Sequence, residues 1–354
     1  MKNSYLEVFK SKKVFITGHT GFKGSWLAYI LCEAGADVLG YALAPTTENA
    51  HFKLLNLENK ISHIEADICN KELLINTMNE FQPEFVFHLA AQALVRPSYH
   101  DPALTFKTNV EGSANLLEAV RLCESVRSLV YITSDKCYEN VEWIWGYREN
   151  DQLGGKDPYS ASKAAAEIVF SAYQHSFFKN RENFGSATTR AGNVIGGGDW
   201  AIDRIIPDCI RSISENTSII LRNPNATRPW QHVLEPISGY LLLANKLYYD
   251  NHKYDGAWNF GPLTKEVKTV KEVSEQLIKN IGTGVIEIQI SPNNVHEANL
   301  LQLNCDKANQ LLKWFPKWTV DETINETSFW YKAYLDGENV EKVTHSQVYK
   351  YFDL

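Results

Sequence analysis

Tyr159 and Lys163 stand four residues apart in Tyr-Ser-Ala-Ser-Lys. On a helix this spacing puts both side chains on one face. An ammonium beside a phenol favours the phenolate, so the expectation is a tyrosine of lowered pKa that takes a proton near neutral pH. Taken alone the pattern is common, and an exposed helix face would give it too. It gains weight from Thr133-Ser134-Asp135-Lys136, just past an apolar run that reads as the fifth strand. Open α/β sheets hold ligands at the carboxyl ends of their strands. A third grouping, Gly18-His-Thr-Gly21-Phe-Lys-Gly24, follows the first strand and opens a helix. Such glycines let backbone N–H groups approach a pyrophosphate, and the helix N-terminus adds partial positive charge. No Lys-Ser/Thr follows the last glycine, so this is not a nucleoside-triphosphate loop.

The elements that must position these groups alternate. Strands are expected at Val14–Thr17, Val38–Ala42, Ile61–Ala66, Phe85–Leu89, Ser128–Thr133 and Ser186–Arg190. Helical stretches run from Ser25 to Ala34, Lys71 to Phe81 and Asn109 to Cys123, and Tyr159 begins another. The pattern predicts an α/β fold, a Rossmann-type doubly wound parallel sheet. Beyond about residue 191 the loops Gly196-Gly197-Gly198 and Asn223-Pro224-Asn225 interrupt it, and short helices are expected. The division expected is a dinucleotide-binding domain of residues 1–190 plus about 231–262. A smaller mixed α/β substrate-binding domain would take about 191–230 plus 263–354.

Composition narrows the function. The 354 residues are 44% hydrophobic and 22% charged, with a net charge of −7. A core of ordinary size forms, and a general nucleic-acid binder is disfavoured. No apolar run reaches the ~20 residues of a membrane span, and the first residues lack a secretion signal, so a cytoplasmic protein is expected. Six scattered cysteines read as thiols rather than a disulfide frame, and no metal-ligand spacing appears. No G-x-S-x-G elbow is present.

Together, Thr17-Gly18-x-x-Gly21-Phe22-x-Gly24, His88-Leu-Ala-Ala-Gln92, Ser134 and Tyr159/Lys163 resemble the extended short-chain dehydrogenase/reductase family. Within it the chain looks like the nucleotide-sugar 4,6-dehydratases. The likeness runs through Thr133-Ser-Asp-Lys-Cys-Tyr138, Glu142-Trp-Ile-Trp-Gly-Tyr147, Arg190-Ala-Gly-Asn-Val-Ile-Gly-Gly-Gly-Asp-Trp200 and Arg228-Pro-Trp-Gln-His-Val-Leu-Glu-Pro236. Most members of that group carry Asp-Glu where this chain has Asp135-Lys136, a change typical of the CDP-glucose branch.

The resemblance implies a lyase that dehydrates a nucleotide sugar, CDP-glucose, by an internal redox cycle. Tyr159, with Lys163 and Ser134, would take the proton of the sugar 4-hydroxyl. Hydride would pass to bound NAD, Asp135 would protonate the departing 6-hydroxyl, and Lys136 would remove the proton on carbon 5. Elimination of water needs such an acid and base at adjacent carbons. Lysine is a base only where burial or positive neighbours depress its pKa, and Lys163 is one candidate neighbour. The simpler alternative is that Lys136 only pairs with Asp135.

Cofactor contacts are expected from Gly18, Thr20, Gly21, Phe22, Lys23 and Gly24, then Leu89, Ala90, Ala91, Gln92 and Thr108, and again Tyr159 and Lys163. Asp67 and Ile68, ending the third strand, are read as adenine contacts, an ordinary turn being the equal alternative. Tyr41-Ala-Leu-Ala-Pro45 stands where an acidic residue usually holds the adenosine ribose, which leaves NAD and NADP both open. For the substrate, Arg228 offers a guanidinium fork to the diphosphate. Asn193, Arg96, Arg204, Gln231 and His296 complete the expected set, with His232 the weaker neighbour. The tryptophans at 143, 145, 200 and 230 read as core packing sooner than as a stacking platform. Homodimerisation through helices starting near Asn109 and Tyr159, and a product destined for deoxysugars of surface glycans such as O-antigen lipopolysaccharide, are family-level implications. The competing readings are another nucleotide-sugar 4,6-dehydratase, a 4-epimerase or simple dehydrogenase, and a non-catalytic dinucleotide-binding regulator.

Overall fold

A computed structural model describes residues 4–262, 267–289 and 300–354. Buried apolar runs form the parallel strands, since strands covered on both faces need no polar alternation. The first half runs β1 (Lys13–Thr17), α1 (Phe22–Glu33), β2 (Asp37–Ala42), α2 (His51–Leu54), β3 (Ser62–Glu65), α3 (Lys71–Phe81) and β4 (Phe85–His88). Then come α4 (Val95–His100), α5 (Pro102–Phe106), α6 (Gly112–Leu122), β5 (Ser128–Ile132), α7 (Pro158–Tyr173) and β6 (Gly185–Ala191). The second half holds β7 (Val194–Ile195), α8 (Ile205–Ser214), β8 (Ile219–Leu221), β9 (Thr227–Arg228), β10 (Gln231–His232) and α9 (Leu234–Asp250). It closes with β11 (Gly256–Phe260), β12 (Lys268–Thr269), α10 (Val270–Ile281), β13 (Ile286–Ile288), α11 (Val320–Leu335) and α12 (Val340–Phe352).

Seven strands make one parallel sheet in the order β11-β6-β5-β4-β1-β2-β3. The order reverses between β1 and β4, which opens a crevice at their carboxyl ends where such folds bind dinucleotides. β11 is a strand that the sequence reading did not foresee. Its five residues, Gly-Ala-Trp-Asn-Phe, show no β-branched run, and Asn259 interrupts the apolar pattern although it is fully buried. The helices of the second half also depart from expectation: α9 has 17 residues and α11 has 16. The interrupting loops both precede these helices, Gly196-Gly197-Gly198 between β7 and α8 and Asn223-Pro224-Asn225 between β8 and β9.

One large apolar core joins α1 and one face of the sheet to α8, α9, α11 and α12. A second core packs α3, α6 and α7 on the other face. A small third cluster of Cys137, Tyr138, Tyr147, Leu301 and Leu303 lies beside the loop that follows β5. Among the described residues no helix is long and apolar enough to cross a membrane. All six cysteines are free thiols.

Candidate active site

The loop after β1 is fixed by contacts that exclude side chains. A Cβ on Gly18, whose φ is +76°, would lie 2.6 Å from the backbone nitrogen of Ala90, and one on Gly24 only 2.1 Å from the Gly18 carbonyl oxygen. The turn therefore closes on itself and against the loop that follows β4. Gly21 caps α1 without a side chain, so the first-turn N–H groups face the crevice uncapped. The Thr20 hydroxyl donates to the Leu43 carbonyl at 2.9 Å and ties the loop to the end of β2. Phe22 and Lys23 begin the helix; burial pushes the Lys23 ammonium down to about 8, with Arg204 reinforcing and Asp135 opposing. An uncapped helix N-terminus, a loop with no room for Cβ atoms and a nearby cation fit a dinucleotide pyrophosphate.

At the β2–β3 edge, buried Tyr41 donates to the Asp67 carbonyl at 3.1 Å. The Asp67 carboxylate accepts from the Cys69 N–H at 2.8 Å, an Asx turn, while its residue stays exposed and Ile68 packs inside against Gly112. Residues 42–47 after β2 carry no charge of either sign.

The loop after β4 is held from both ends. Leu89 N–H donates to the Thr17 carbonyl at 3.0 Å and Ala90 N–H to the Thr17 hydroxyl at 3.2 Å. Ala91 and Gln92 follow, half-buried; the Gln92 amide donates to the Thr105 hydroxyl at 2.9 Å and its oxygen accepts from Leu94 N–H at 2.6 Å. Gln92 thus shapes the loop with its side chain. The residue that the sequence reading passed over is Asn109, buried in a π turn beside half-buried Thr108. Its amide donates to the Gln92 carbonyl at 3.0 Å and to the Ser162 hydroxyl at 2.8 Å, and its oxygen accepts from Gln92 N–H at 2.8 Å. It stitches the β4 loop to α7. The available signal was a π bulge, which recurs at functional sites but has no sequence signature.

Helix α7 starts where Asp157 accepts from Ser160 N–H at 2.9 Å and Pro158 occupies the first turn. Tyr159 and Lys163 then point inward, 7% and 6% exposed, with the lysine nitrogen 6.0 Å from the tyrosine ring centre. Ser134 and Asp135 follow the carboxyl end of β5 at 8% and 4% exposure. The Ser134 hydroxyl donates to the Asp135 carboxylate at 2.9 Å and accepts from Lys136 N–H at 3.2 Å. Half-buried Lys136 places its charge beside Asp135.

Ionisation in this pocket departs from the sequence expectation. Burial pushes Tyr159 up to about 12, with Ser134 and Arg204 opposing and Asp135 reinforcing. The lowered tyrosine pKa that the four-residue spacing implied is outweighed by loss of solvent. Burial also takes Lys163 down to about 8, against the pull of Cys137 and Glu167. Asp135 is raised by burial, opposed by Lys136, Ser134 and Lys23. A carboxyl so placed keeps its proton more readily and can give it up to a leaving group.

The expected substrate residues divide. Asn193 lies two residues past β6, its carbonyl accepting from Gln231 N–H at 3.1 Å. A Cβ on neighbouring Gly192 would stand 3.1 Å from Asp135 Oδ2 and 3.5 Å from Pro229, so the β6 loop and the Arg228 segment converge over Asp135. Half-buried Arg228 donates to the Thr227 carbonyl at 2.8 Å. Arg204 pairs with Asp199 at 2.9 Å and its charge reaches Tyr159. Arg96 and Arg222 both bind Asp203 at 3.0 Å on the rim. Gln231 stands apart: it is 1% exposed and its amide donates to the Phe260 carbonyl at 3.1 Å. His232 is interior too, packed on Trp318 and driven by burial to about 3, hence neutral. His296 and Glu297 lie outside the described residues. Trp230 is core and Trp200 packs on Tyr331 and Tyr334, but Trp143 and Trp145 are 37% and 67% exposed, against the core placement expected for them.

Residues 15–327 match the GDP-mannose 4,6-dehydratase family. The chain belongs to that family. Among curated relatives of this 4,6-dehydratase family member, the CDP-glucose 4,6-dehydratase of Salmonella typhimurium is 48% identical over 336 residues, 94% of each chain. Among solved structures, the UDP-glucose 4-epimerase of Thermus thermophilus in complex with NAD superposes with a TM-score of 0.78 at 27% identity, covering 90% of this chain and 99% of that one. DesIV, a dTDP-glucose 4,6-dehydratase of Streptomyces venezuelae, shares the fold with a TM-score of 0.77 at 20% identity, covering 92% and 98%. In this member of the 4,6-dehydratase family, a buried Tyr/Lys pair and a buried acid next to an amine lie together beside an uncapped helix N-terminus.

Proposed function

We propose that the protein is a hydro-lyase that converts CDP-glucose to CDP-4-dehydro-6-deoxyglucose and water with NAD as resident cofactor. The observation that carries the reading is Asp135. It is a buried carboxyl biased toward its protonated form, adjacent to Lys136 and within the same pocket as Tyr159. Neither an epimerase nor a simple dehydrogenase needs such an acid–amine pair. The 48% identity to a CDP-glucose 4,6-dehydratase over 94% of both chains supports the substrate.

The uncapped N-terminus of α1, with Lys23, would hold the cofactor pyrophosphate, and Tyr159 and Lys163 would stand at its reactive end. The uncharged segment 42–47 offers no cation to a ribose 2′-phosphate, which favours NAD over NADP. When bound, NAD supplies a reversible hydride store that accepts from carbon 4 and returns to carbon 6. Tyr159 Oη takes the proton of the 4-hydroxyl as the phenolate, the form that Ser134 and Arg204 favour against burial and that the Lys163 cation would stabilise. The resulting 4-ketone acidifies the proton on carbon 5, which Lys136 Nζ removes. Asp135 gives its proton to the departing 6-hydroxyl, Lys136 returns a proton to carbon 5 at the end, and the cycle resets when Tyr159 releases the proton it took and Asp135 regains one through solvent. Arg228, Arg204 and Asn193 take the diphosphate side, where guanidinium forks match phosphate oxygens.

Two coarser expectations travel with this reading. The outward faces of α6 and α7 and the turn after α7 expose Leu122, Ile168 and Phe177, which supports a homodimer joined through those helices. A 4-keto-6-deoxy sugar nucleotide is a starting point for deoxysugars of surface glycans. The test is incubation with NAD and the CDP-, UDP-, dTDP- and GDP-glucoses in parallel. Loss of one water from CDP-glucose alone supports the proposal, and turnover of none of them overturns it.

A further inference from the structure

Behind Lys163 lies a polar network with no part in the proton transfers just described. Glu167 follows Lys163 by one helical turn and is 4% exposed. Arg190, 3% exposed at the end of β6, meets it with two hydrogen bonds, Nε to Oε1 at 3.0 Å and Nη2 to Oε2 at 2.8 Å. The Thr188 hydroxyl donates to Glu167 at 2.9 Å, and the Thr133 hydroxyl also bonds to it. Arg190 Nη1 reaches across to the Tyr138 hydroxyl at 2.8 Å and to the Glu149 carbonyl at 3.0 Å. The Tyr138 hydroxyl donates in turn to Asn259 Oδ1 at 2.8 Å. Asn259 is fully buried; its amide donates to the Tyr147 carbonyl at 2.8 Å and the Asn304 carbonyl at 3.1 Å.

Four segments meet in this network: α7 with Tyr159 and Lys163, the β5 end with Ser134 to Lys136, the β6 end leading to Asn193, and β11. A buried ion pair adds little net stability over apolar packing, because desolvation offsets its Coulomb gain. A fully satisfied buried network instead fixes one arrangement of the elements it joins. We propose, on the basis of the dehydratase reading above, that Glu167 and Arg190 are positioning residues that hold the Tyr159/Lys163 helix and the two catalytic strand ends in register.

Glu167 also acts on Lys163 directly. Lys163 faces Tyr159 and Glu167 on α7, Cys137 after β5, His88 at the end of β4 and Lys23 on α1. Burial drives its proton off, while Cys137 and Glu167 hold it on. Removing the Glu167 charge moves loss of that proton to lower pH.

The test compares Glu167→Gln, Arg190→Lys, Tyr138→Phe and Thr188→Val in the full-length protein loaded with NAD, each checked for native near-ultraviolet circular dichroism. Glu167→Gln and Arg190→Lys lower kcat about a hundredfold, as expected for a displacement near 1 Å, with KM for CDP-glucose within about twofold of wild type. In Glu167→Gln the alkaline limb of the kcat–pH profile moves to lower pH, while in Tyr138→Phe it stays in place. Thr188→Val, which removes one hydrogen bond, loses about fivefold in kcat, and Tyr138→Phe, which removes two, loses about twenty-fivefold. A natively folded Glu167→Gln with wild-type kcat and an unmoved alkaline limb overturns the proposal. So does a change confined to KM. Where Glu167→Gln and Arg190→Lys do not fold, wild-type kcat in both Tyr138→Phe and Thr188→Val overturns it. Absence of turnover in the wild-type protein defeats the dehydratase reading itself, a distinct outcome.

Discussion

Asp135→Asn separates the two halves of the proposed reaction. The substitution is nearly isosteric, and Asn can keep the hydrogen bond that Ser134 donates at 2.9 Å. Its amide takes the place of Oδ2, which sits against Gly192, where a Cβ would stand 3.1 Å away. What is lost is the proton donor to the departing 6-hydroxyl. General acid catalysis contributes about 10²–10⁴-fold, so turnover falls by that factor. Removal of hydride from carbon 4 depends on Tyr159 and Lys163 and is retained within about tenfold. Reduced-nicotinamide absorbance therefore builds up in a single turnover, and mass spectrometry finds a nucleotide sugar that still holds its 6-hydroxyl. Stability changes in the opposite direction. Burial raises the Asp135 pKa, so its contribution to stability is full below the unfolded value of about 3.9 and is lost as pH rises through the folded one. At neutral pH the amide removes a penalised charge, and Tm rises. Turnover within about threefold of wild type, or equal loss of both half-reactions, refutes the assignment.

Lys163→Arg keeps a cation that stays charged above pH 12, so the fall in kcat expected above about pH 8 for the lysine moves up or disappears. An unchanged alkaline limb would assign that titration elsewhere. Gly24→Ala forces a Cβ to 2.1 Å from the Gly18 carbonyl oxygen, which should weaken NAD binding at least about tenfold and lower stability by about 1–3 kcal/mol; calorimetric titration with NAD and thermal melts read both. Glu235, buried in the first turn of α9, accepts from Lys317 N–H, Trp318 N–H and Tyr351, and is pushed by burial to about 7. Its stabilisation is complete below the unfolded value and is lost as pH rises from about 4.5 to about 7. Glu235→Gln removes that slope, worth about 3 kcal/mol across the window, and melts that keep the wild-type slope would refute it.

Much of this was legible in the sequence because the physics is local. The strands expected at Val14–Thr17 and Ser128–Thr133 read as apolar runs, and the helix expected to begin at Tyr159 starts one residue earlier, at Pro158. The Gly18-to-Gly24 loop declared a tight turn through residue type alone. What escaped depends on contacts between distant residues. Glu167 and Arg190 are 23 positions apart, and no periodicity links them. Asn259 looked like a break in an apolar run, yet it is satisfied by groups more than a hundred residues away. Gln231 belonged to a motif, but the side chain faces the Phe260 carbonyl inside the core. The Tyr159 pKa was misjudged for the same reason: the neighbouring lysine is visible in sequence, whereas the burial that outweighs it is made by the whole fold.

The central claim is an internal hydride cycle on CDP-glucose. Its most direct test supplies NAD and CDP-glucose carrying deuterium at carbon 4 and follows the product by mass spectrometry and NMR. The account predicts loss of one water with the deuterium recovered on carbon 6 and no net formation of reduced cofactor. A product of unchanged mass with an inverted 4-hydroxyl, or net accumulation of reduced NAD, would contradict it.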